Sequence, residues 1–269
     1  MTGGALGGGT VGKALALLDS VASAGRPVRF TDLLGESPYP KATLYRLLRT
    51  LCEQGMLAYD GADHTYRPGM RLVRLAHSAW SQSSLAPIAR PHLDALAHDL
   101  GMTVHLAQLD GGQVLYLDKR SGAQQIEMYS AAGKTGPAYC TGIGKALLAS
   151  LPPEALDHAL ARQAFTRFTH ASLIDAAALR AELDAIRARG FAHDREEHEP
   201  GIVCVAVPVR LGSGQGIGAV SVASRTSRHS LADLEELVPR LKTTAAAIGA
   251  DAQAWSFPAP APVRMEAEP

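Results

Sequence analysis

Between Pro40 and Leu51 the chain reads Pro-Lys-Ala-Thr-Leu-Tyr-Arg-Leu-Leu-Arg-Thr-Leu, and no other stretch narrows the possible folds as much. Leu44, Leu47, Leu48 and Leu51 fall at i, i+3, i+4 and i+7, the apolar stripe of one α-helical face. Lys41, Tyr45, Arg46 and Arg49 fall on other faces. A short helix with leucines along one side and basic, hydrogen-bonding side chains along the other suits a DNA major groove. Taken alone, the same pattern describes an ordinary amphipathic helix with a solvated charged face. The flanking sequence separates the two.

Upstream, Val11 to Ala22 has helical periodicity through Val11, Leu15, Leu18 and Val21, and Gly25 and Pro27 end it. Thr31-Asp32-Leu33-Leu34 reads as a short helix with its N-cap near Phe30 or Thr31. The turn Gly35 to Pro40 contains two prolines and cannot be helical throughout, and Pro40 suits the first position of the helix that follows. Two short helices joined by a tight turn, the second one basic, make a helix-turn-helix. Downstream, Met56 to Tyr59 and Thr65 to Pro68 read as strands of a hairpin around Asp60 to His64, a wing able to lay Arg67 on a phosphate backbone. Residues 1–80 contain nine Lys/Arg and six Asp/Glu, a net of +3, so the remainder, with 17 against 20, carries −3. The formal neutrality of the whole chain hides a basic front, which is a normal electrostatic footprint for DNA.

The 269 residues suffice for two domains, and 46% apolar content supports buried cores. No apolar run reaches a membrane span and no signal sequence opens the chain, so a cytoplasmic protein is expected. Cys52, Cys140 and Cys204 are odd in number and lack metal-type spacing. The expected organisation is a mobile tail over 1–9, a winged helix-turn-helix over 10–69 and a linker helix over 70–84. A second domain over 85–254, the effector-binding domain by the resemblance given below, and a mobile tail over 255–269 complete it. The linker helix, led by Met70 to Ser81 with a polar joint at Ser81 to Ser84, is positioned to transmit a change in geometry, and its apolar face is a candidate dimer element.

From Gly101 the period changes from 3.6 to 2. Thr103 to Leu109 and Gln113 to Lys119 form a hairpin, Gln125 to Tyr129 reads as a third strand, and Val203 to Val209 and Ile217 to Ala223 as two more. Leu85 to Leu100, Thr141 to Leu151, Pro153 to Ala161, Asp175 to Arg189 and Ser230 to Ala252 read as helices. Hairpins with segregated helices predict an α+β domain with a mainly antiparallel sheet.

Three features there bear on chemistry. Cys140-Thr141-Gly142-Ile143-Gly144-Lys145 resembles a phosphate loop but lacks its full spacing, so nucleotide hydrolysis is not expected. A helix start there still offers backbone N–H groups to a carboxylate, unless the glycines serve only close packing. His193 to Gly201 is dense in His and carboxylate; a solvated acidic loop is the expected reading and no metal site is assigned. Cys204, on an apolar strand, reads by itself as a small core residue. No catalytic triad or carboxylate pair emerges.

These motifs together resemble the IclR (isocitrate-lyase-regulator) family of bacterial transcription factors, from about Val11 to Ala252. Lys41 to Leu48 looks like its recognition helix and Thr141 to Ala149 like its effector-domain helix start. Gly190 to Glu197, with Gly201 and Cys204 to Val209, looks like its third signature. The resemblance implies a winged helix-turn-helix joined to a GAF/profilin-like effector-binding domain, assembled as homodimers or homotetramers that repress or activate nearby operons. It implies double-stranded DNA, a palindromic operator, met by Lys41, Thr43, Tyr45, Arg46, Arg49 and the wing's Arg67. It also implies a small organic acid effector, glyoxylate or pyruvate as first expectation, held by Gly142, Ile143, Asp194, Cys204 and Ser221. No cofactor and no catalysis are implied. Ala223 stands where the family often has a second hydroxyl, and Ser37-Pro38-Tyr39-Pro40 replaces the usual turn before the recognition helix. Two other readings are an enzyme using the Asp194/Cys204 region and a ligand-binding module that contacts protein; the wing and the basic stripe count against both.

Overall fold

A computed structural model describes residues 9–83, 85–123 and 128–254. The two tails expected to be mobile lie outside the described residues apart from Gly9. The chain divides into two compact units between Ser83 and Ser84.

The first unit runs α1 (Thr10–Ser23), β1 (Val28–Arg29), α2 (Phe30–Glu36), α3 (Lys41–Glu53), β2 (Leu57–Asp60), β3 (Thr65–Pro68) and α4 (Met70–Ser83). Its core joins Leu17, Leu18 and Val21 of α1 to Leu33 of α2 and to Leu44, Leu47, Leu48 and Leu51, the expected stripe of α3. Gly25 follows α1 at φ +63°, the left-handed conformation a helix terminus assigns to glycine. Pro40 takes the N-cap of α3, one residue outside the expected first helical position, and its carbonyl accepts Leu44 N–H at 3.0 Å. The short β1, not read from the sequence, pairs with β3, which also pairs with β2 in the register Tyr59 opposite Tyr66. Its formation starts α2 earlier than expected: Arg29 N–H donates to Asp32 Oδ2 at 3.3 Å, fixing the first turn.

The second unit runs α5 (Ala86–Leu100), β4 (Thr103–Asp110), β5 (Gln113–Ser121), β6 (Thr135–Gly136), α6 (Gly142–Ala149), α7 (Pro153–Leu160) and α8 (Ala176–Arg189). It continues with β7 (Ala192–Arg195), β8 (Ile202–Arg210), β9 (Gly216–Arg225), α9 (Leu231–Glu235) and α10 (Val238–Ala254). The six strands form one antiparallel sheet in the order β6-β5-β4-β9-β8-β7. Helix α6 packs on it, with α7 and α8 against α6, while α5 and α10 pack together and on the sheet. The alternation of strand residues explains how α6 approaches so closely. The residues of the four strands β4, β7, β8 and β9 that share its cluster are small: Cys204 and Ala206 of β8, Ala219 and Ala223 of β9, Ala107 of β4 and Ala192 of β7. The intervening positions, Val205, Val207, Val220 and Val222, are fully or almost fully buried outside that cluster.

Three expectations are corrected. The strand over 125–129 lies partly outside the described residues, and its described end, Met128 and Tyr129, is not in a strand; the edge strand on β5 is β6. The single helix over 230–252 is two, α9 and α10, because Pro239 has no N–H to give Glu235 and its ring crowds that carbonyl. The solvated acidic loop over 193–201 begins as the edge strand β7, and His193, Asp194 and Glu197 are buried. The helix from Leu85 holds, but Pro91 sits inside it, in its second turn. Among the described residues, no helix is long and apolar enough to cross a membrane.

Candidate functional site

Two surfaces carry the residues singled out by the sequence. On α3, Lys41, Tyr45, Arg46 and Arg49 are exposed and Thr43 is half-buried beside the leucine stripe. Tyr45, 58% exposed, leans edge-on toward Phe30 with ring centroids 6.4 Å apart. Arg49 is paired with Glu53 at 2.7 Å, one turn along the same helix. No such partner meets Arg46 among the described residues. On the wing, Arg67 is exposed opposite Ala58. His64 holds a positive φ of 55° in the tip and exchanges a 2.8 Å hydrogen bond with Tyr59 Oη.

The second unit contains a cavity with about 430 Å³ of space free of protein atoms, its open mouth included. Gly142, Ile143, Asp194, Cys204 and Ser221, five residues scattered over eighty positions, all line it. The sheet accounts for the convergence. Asp194 lies opposite Cys204, Cys204 opposite Ala223, and Ser221 opposite His105, so these side chains share the face on which α6 rests.

The start of α6 completes the wall. Thr141 caps it: its Oγ1 accepts Gly144 N–H at 3.2 Å and donates to Pro137 O at 2.8 Å. The unpaired N–H groups left at a helix start are then those of Gly142 and Ile143, which both line the cavity. Both glycines are sterically required. A Cβ on Gly142 would stand 2.9 Å from Cys204 Sγ and 3.2 Å from Asp194 N; one on Gly144 would stand 2.5 Å from Ala138 Cα. Close packing and an open helix start are therefore one arrangement.

The electrostatics are unusual. Asp194, 6% exposed, accepts Glu197 N–H at 2.9 Å. Burial, reinforced by the Glu197 charge, pushes its carboxyl up to about 7. Lys145, fully buried, meets Glu197 Oε1 and lies 3.9 Å from Glu182. Both residues lie in motifs singled out from the sequence, but their pairing was not read there, because it spans 52 positions. Burial pushes the Cys204 and Cys140 thiols up, Cys140 to about 12, so neither offers a thiolate nucleophile. Across the cavity, burial lowers His105 to about 3, and its Nε2 pairs with Ser130 Oγ at 2.8 Å. Tyr129 and His198 line the rim, rings 5.4 Å apart, with Phe168 on the other side of His198 at 4.7 Å. Nothing here pairs a nucleophile with a base. The set is hydrogen-bond donors, the raised carboxyl of Asp194, the Glu199 carboxylate that its His198 hydrogen bond holds below the usual range, and apolar surface around a small space, an arrangement suited to binding a small molecule.

Comparison with known proteins matches both units of the chain. The family profile "IclR helix-turn-helix domain" matches residues 10–61, and "Bacterial transcriptional regulator IclR C-terminal" matches residues 77–250. The chain is 33% identical over 250 residues to the HTH-type transcriptional regulator XynR of Escherichia coli, covering 93% of this chain and 98% of that one. Its structure is similar to that of Thermotoga maritima IclR, with a TM-score of 0.72, 30% identity and coverage of 89% and 97%. An IclR homologue from Microbacterium hydrocarbonoxydans, complexed with 4-hydroxybenzoate, shares the fold at a TM-score of 0.79, with 23% identity and coverage of 91% and 100%. The chain belongs to the IclR family of ligand-responsive, DNA-binding transcriptional regulators.

Proposed function

We propose that this regulator senses a small organic acid in the α6 cavity and adjusts its affinity for a palindromic operator accordingly, acting as a homodimer or homotetramer in the cytoplasm. The observation that carries the reading is the convergence of a helix start, Asp194, Cys204 and Ser221 on one cavity. The N–H groups of Gly142 and Ile143 suit a carboxylate at the positive end of α6. Ser221 and Asp194 suit a neighbouring carbonyl, hydroxyl or gem-diol. Glyoxylate and pyruvate are the first candidates, because the helix-start corner is compact. Lys41, Thr43, Tyr45, Arg46 and Arg49 are assigned to the major groove and Arg67 to the backbone.

Titration calorimetry of the full chain with a panel of small acids tests the pocket, and a mobility-shift assay on the upstream region of its own gene tests the response. An acid that binds at this site should bind less tightly to Ser221→Ala, by about 2- to 10-fold for one net hydrogen bond. Equal affinity of the variant and the parent for every acid that binds would place the effector elsewhere.

A further inference from the structure

Two carboxylates lie buried beside the start of α6, and only one has a cation. Glu197 meets Lys145 Nζ. Glu182, the other carboxylate near Lys145, is matched by Arg189 at 2.7 Å and Arg195 at 3.5 Å. Asp194 has instead the single N–H of Glu197. The groups facing it or lining the same cavity are Glu197, His198 and Glu199 of its own segment, Lys145 of α6 and His105 of β4, which burial keeps neutral. Cys140 before α6, Cys204 of β8 and Tyr116 of β5 complete the set, and burial holds those last three in their neutral forms. His198 is engaged with Glu199 at 3.7 Å. The one cation close enough to compensate a second anion, Lys145, is thus already spent on Glu197.

An effector carboxylate at the N–H groups of Gly142 and Ile143 enters the same space as Asp194, whose backbone N lies 3.2 Å from where a Gly142 Cβ would stand. Two carboxylates sharing a poorly solvated site cannot both remain ionised. We propose that Asp194 determines which ionisation state of the effector is accepted: a carboxylate anion binds only with Asp194 protonated, the two sharing one proton taken from solvent. Lys145 is the positioning residue that holds Glu197 in place, and Glu197 in turn biases Asp194 toward its acid form. The protonated carboxyl donates its O–H to an effector oxygen, a bond an ionised aspartate cannot make. No bond other than the O–H is formed or broken. This rests on the carboxylate reading of the cavity given above.

The sign follows from the Asp194 carboxyl standing at about 7 before the anion arrives. Below that pH the acid is already protonated and affinity is flat. Above it, each binding event draws up to one proton, and affinity falls by up to tenfold per pH unit until the still higher value in the complex is passed. Calorimetry of the full chain with sodium pyruvate, glyoxylate and benzoate, in phosphate and in Tris, measures this directly. Near pH 8 the apparent enthalpy should differ between the buffers by close to the difference between their ionisation enthalpies, as uptake of one proton requires, and near pH 6 by much less. Asp194→Asn, a permanently neutral stand-in, should bind with no buffer dependence and a flat profile through pH 8.5. Glu197→Gln removes the charge that raises Asp194 and leaves the Lys145 cation, so its affinity should begin to fall at lower pH than the parent's. If none of the three acids binds, the carboxylate reading fails and this inference with it. If they bind with no proton uptake at pH 8, or if Asp194→Asn keeps the parent's pH profile, the cavity reading stands and the shared proton is overturned.

Discussion

Arg46 and Arg49 sit one turn apart on the exposed side of α3, yet they differ in what each gives up to reach a nucleic acid. Arg49 must leave Glu53, while Arg46 has no such tie among the described residues. Arg46→Ala should therefore weaken operator binding by about 1–3 kcal/mol and relax specificity at one base position. Arg49→Ala should act mainly on the salt dependence, flattening it as a lost phosphate contact does. Mobility shifts at two ionic strengths separate the outcomes, and native affinity and salt slope in both variants would remove α3 from the interface. The buried residues predict differently. Lys145→Met strands Glu197 without its cation and should destabilise the second unit by about 3–5 kcal/mol, read by urea unfolding. Lys145→Met combined with Glu197→Gln should recover much of that loss, since the stranded charge is then gone.

At the scale of elements, the helix starts and strand faces do the positioning. Thr141 ties α6 to Pro137 on one side and to Gly144 on the other. Thr141→Ala should cost about 0.5–2 kcal/mol as a lost cap, and it should also weaken effector binding because it releases the N–H groups that line the cavity. Thermal unfolding and calorimetry on the same variant check both halves; a stability loss with unchanged affinity would separate the cap from the site. These elements were largely legible in the sequence, since their signals are local: the leucine period of α3, the glycines flanking Ile143, and the alternation that puts Cys204 and Ser221 on one face. What was not legible depends on distant partners. The run His193 to Glu197 looks solvated because all five of its residues are charged or titratable, and the burial of His193, Asp194 and Glu197 depends on elements distant in the sequence, Lys145 of α6 among them. The two-residue strands β1 and β6 are too short to carry any period and exist only because β3 and β5 offer edges. The break between α9 and α10 was marked in the sequence by Pro239, but the apolar period on either side of it masked the signal.

At the scale of the whole molecule, one basic helix reads too few base pairs to find an operator among competing genomic sites. Useful specificity needs at least two copies of α3 on a site of matching symmetry, with half-sites about one helical turn, or a multiple of it, apart. Met70 (74% exposed), Val73 (58%) and Leu75 (49%) place apolar surface on α4 that the unit containing it leaves uncovered. That is the surface a second copy would bury, and sedimentation showing a monomer at working concentration, with and without operator, would overturn the assembly. The same assembly fixes how the effector must behave. If an acid in the α6 cavity weakens operator binding, the operator must weaken binding of the acid by the same factor, because the coupling free energy is a property of the pair of sites. A coupling of about 1–3 kcal/mol, or roughly 5- to 150-fold, is the usual range. Measuring the effector's affinity with and without saturating operator should therefore return the same ratio as measuring the operator's affinity with and without saturating effector. A ratio of one in both directions would mean that the cavity, whatever occupies it, does not govern the DNA-binding surface.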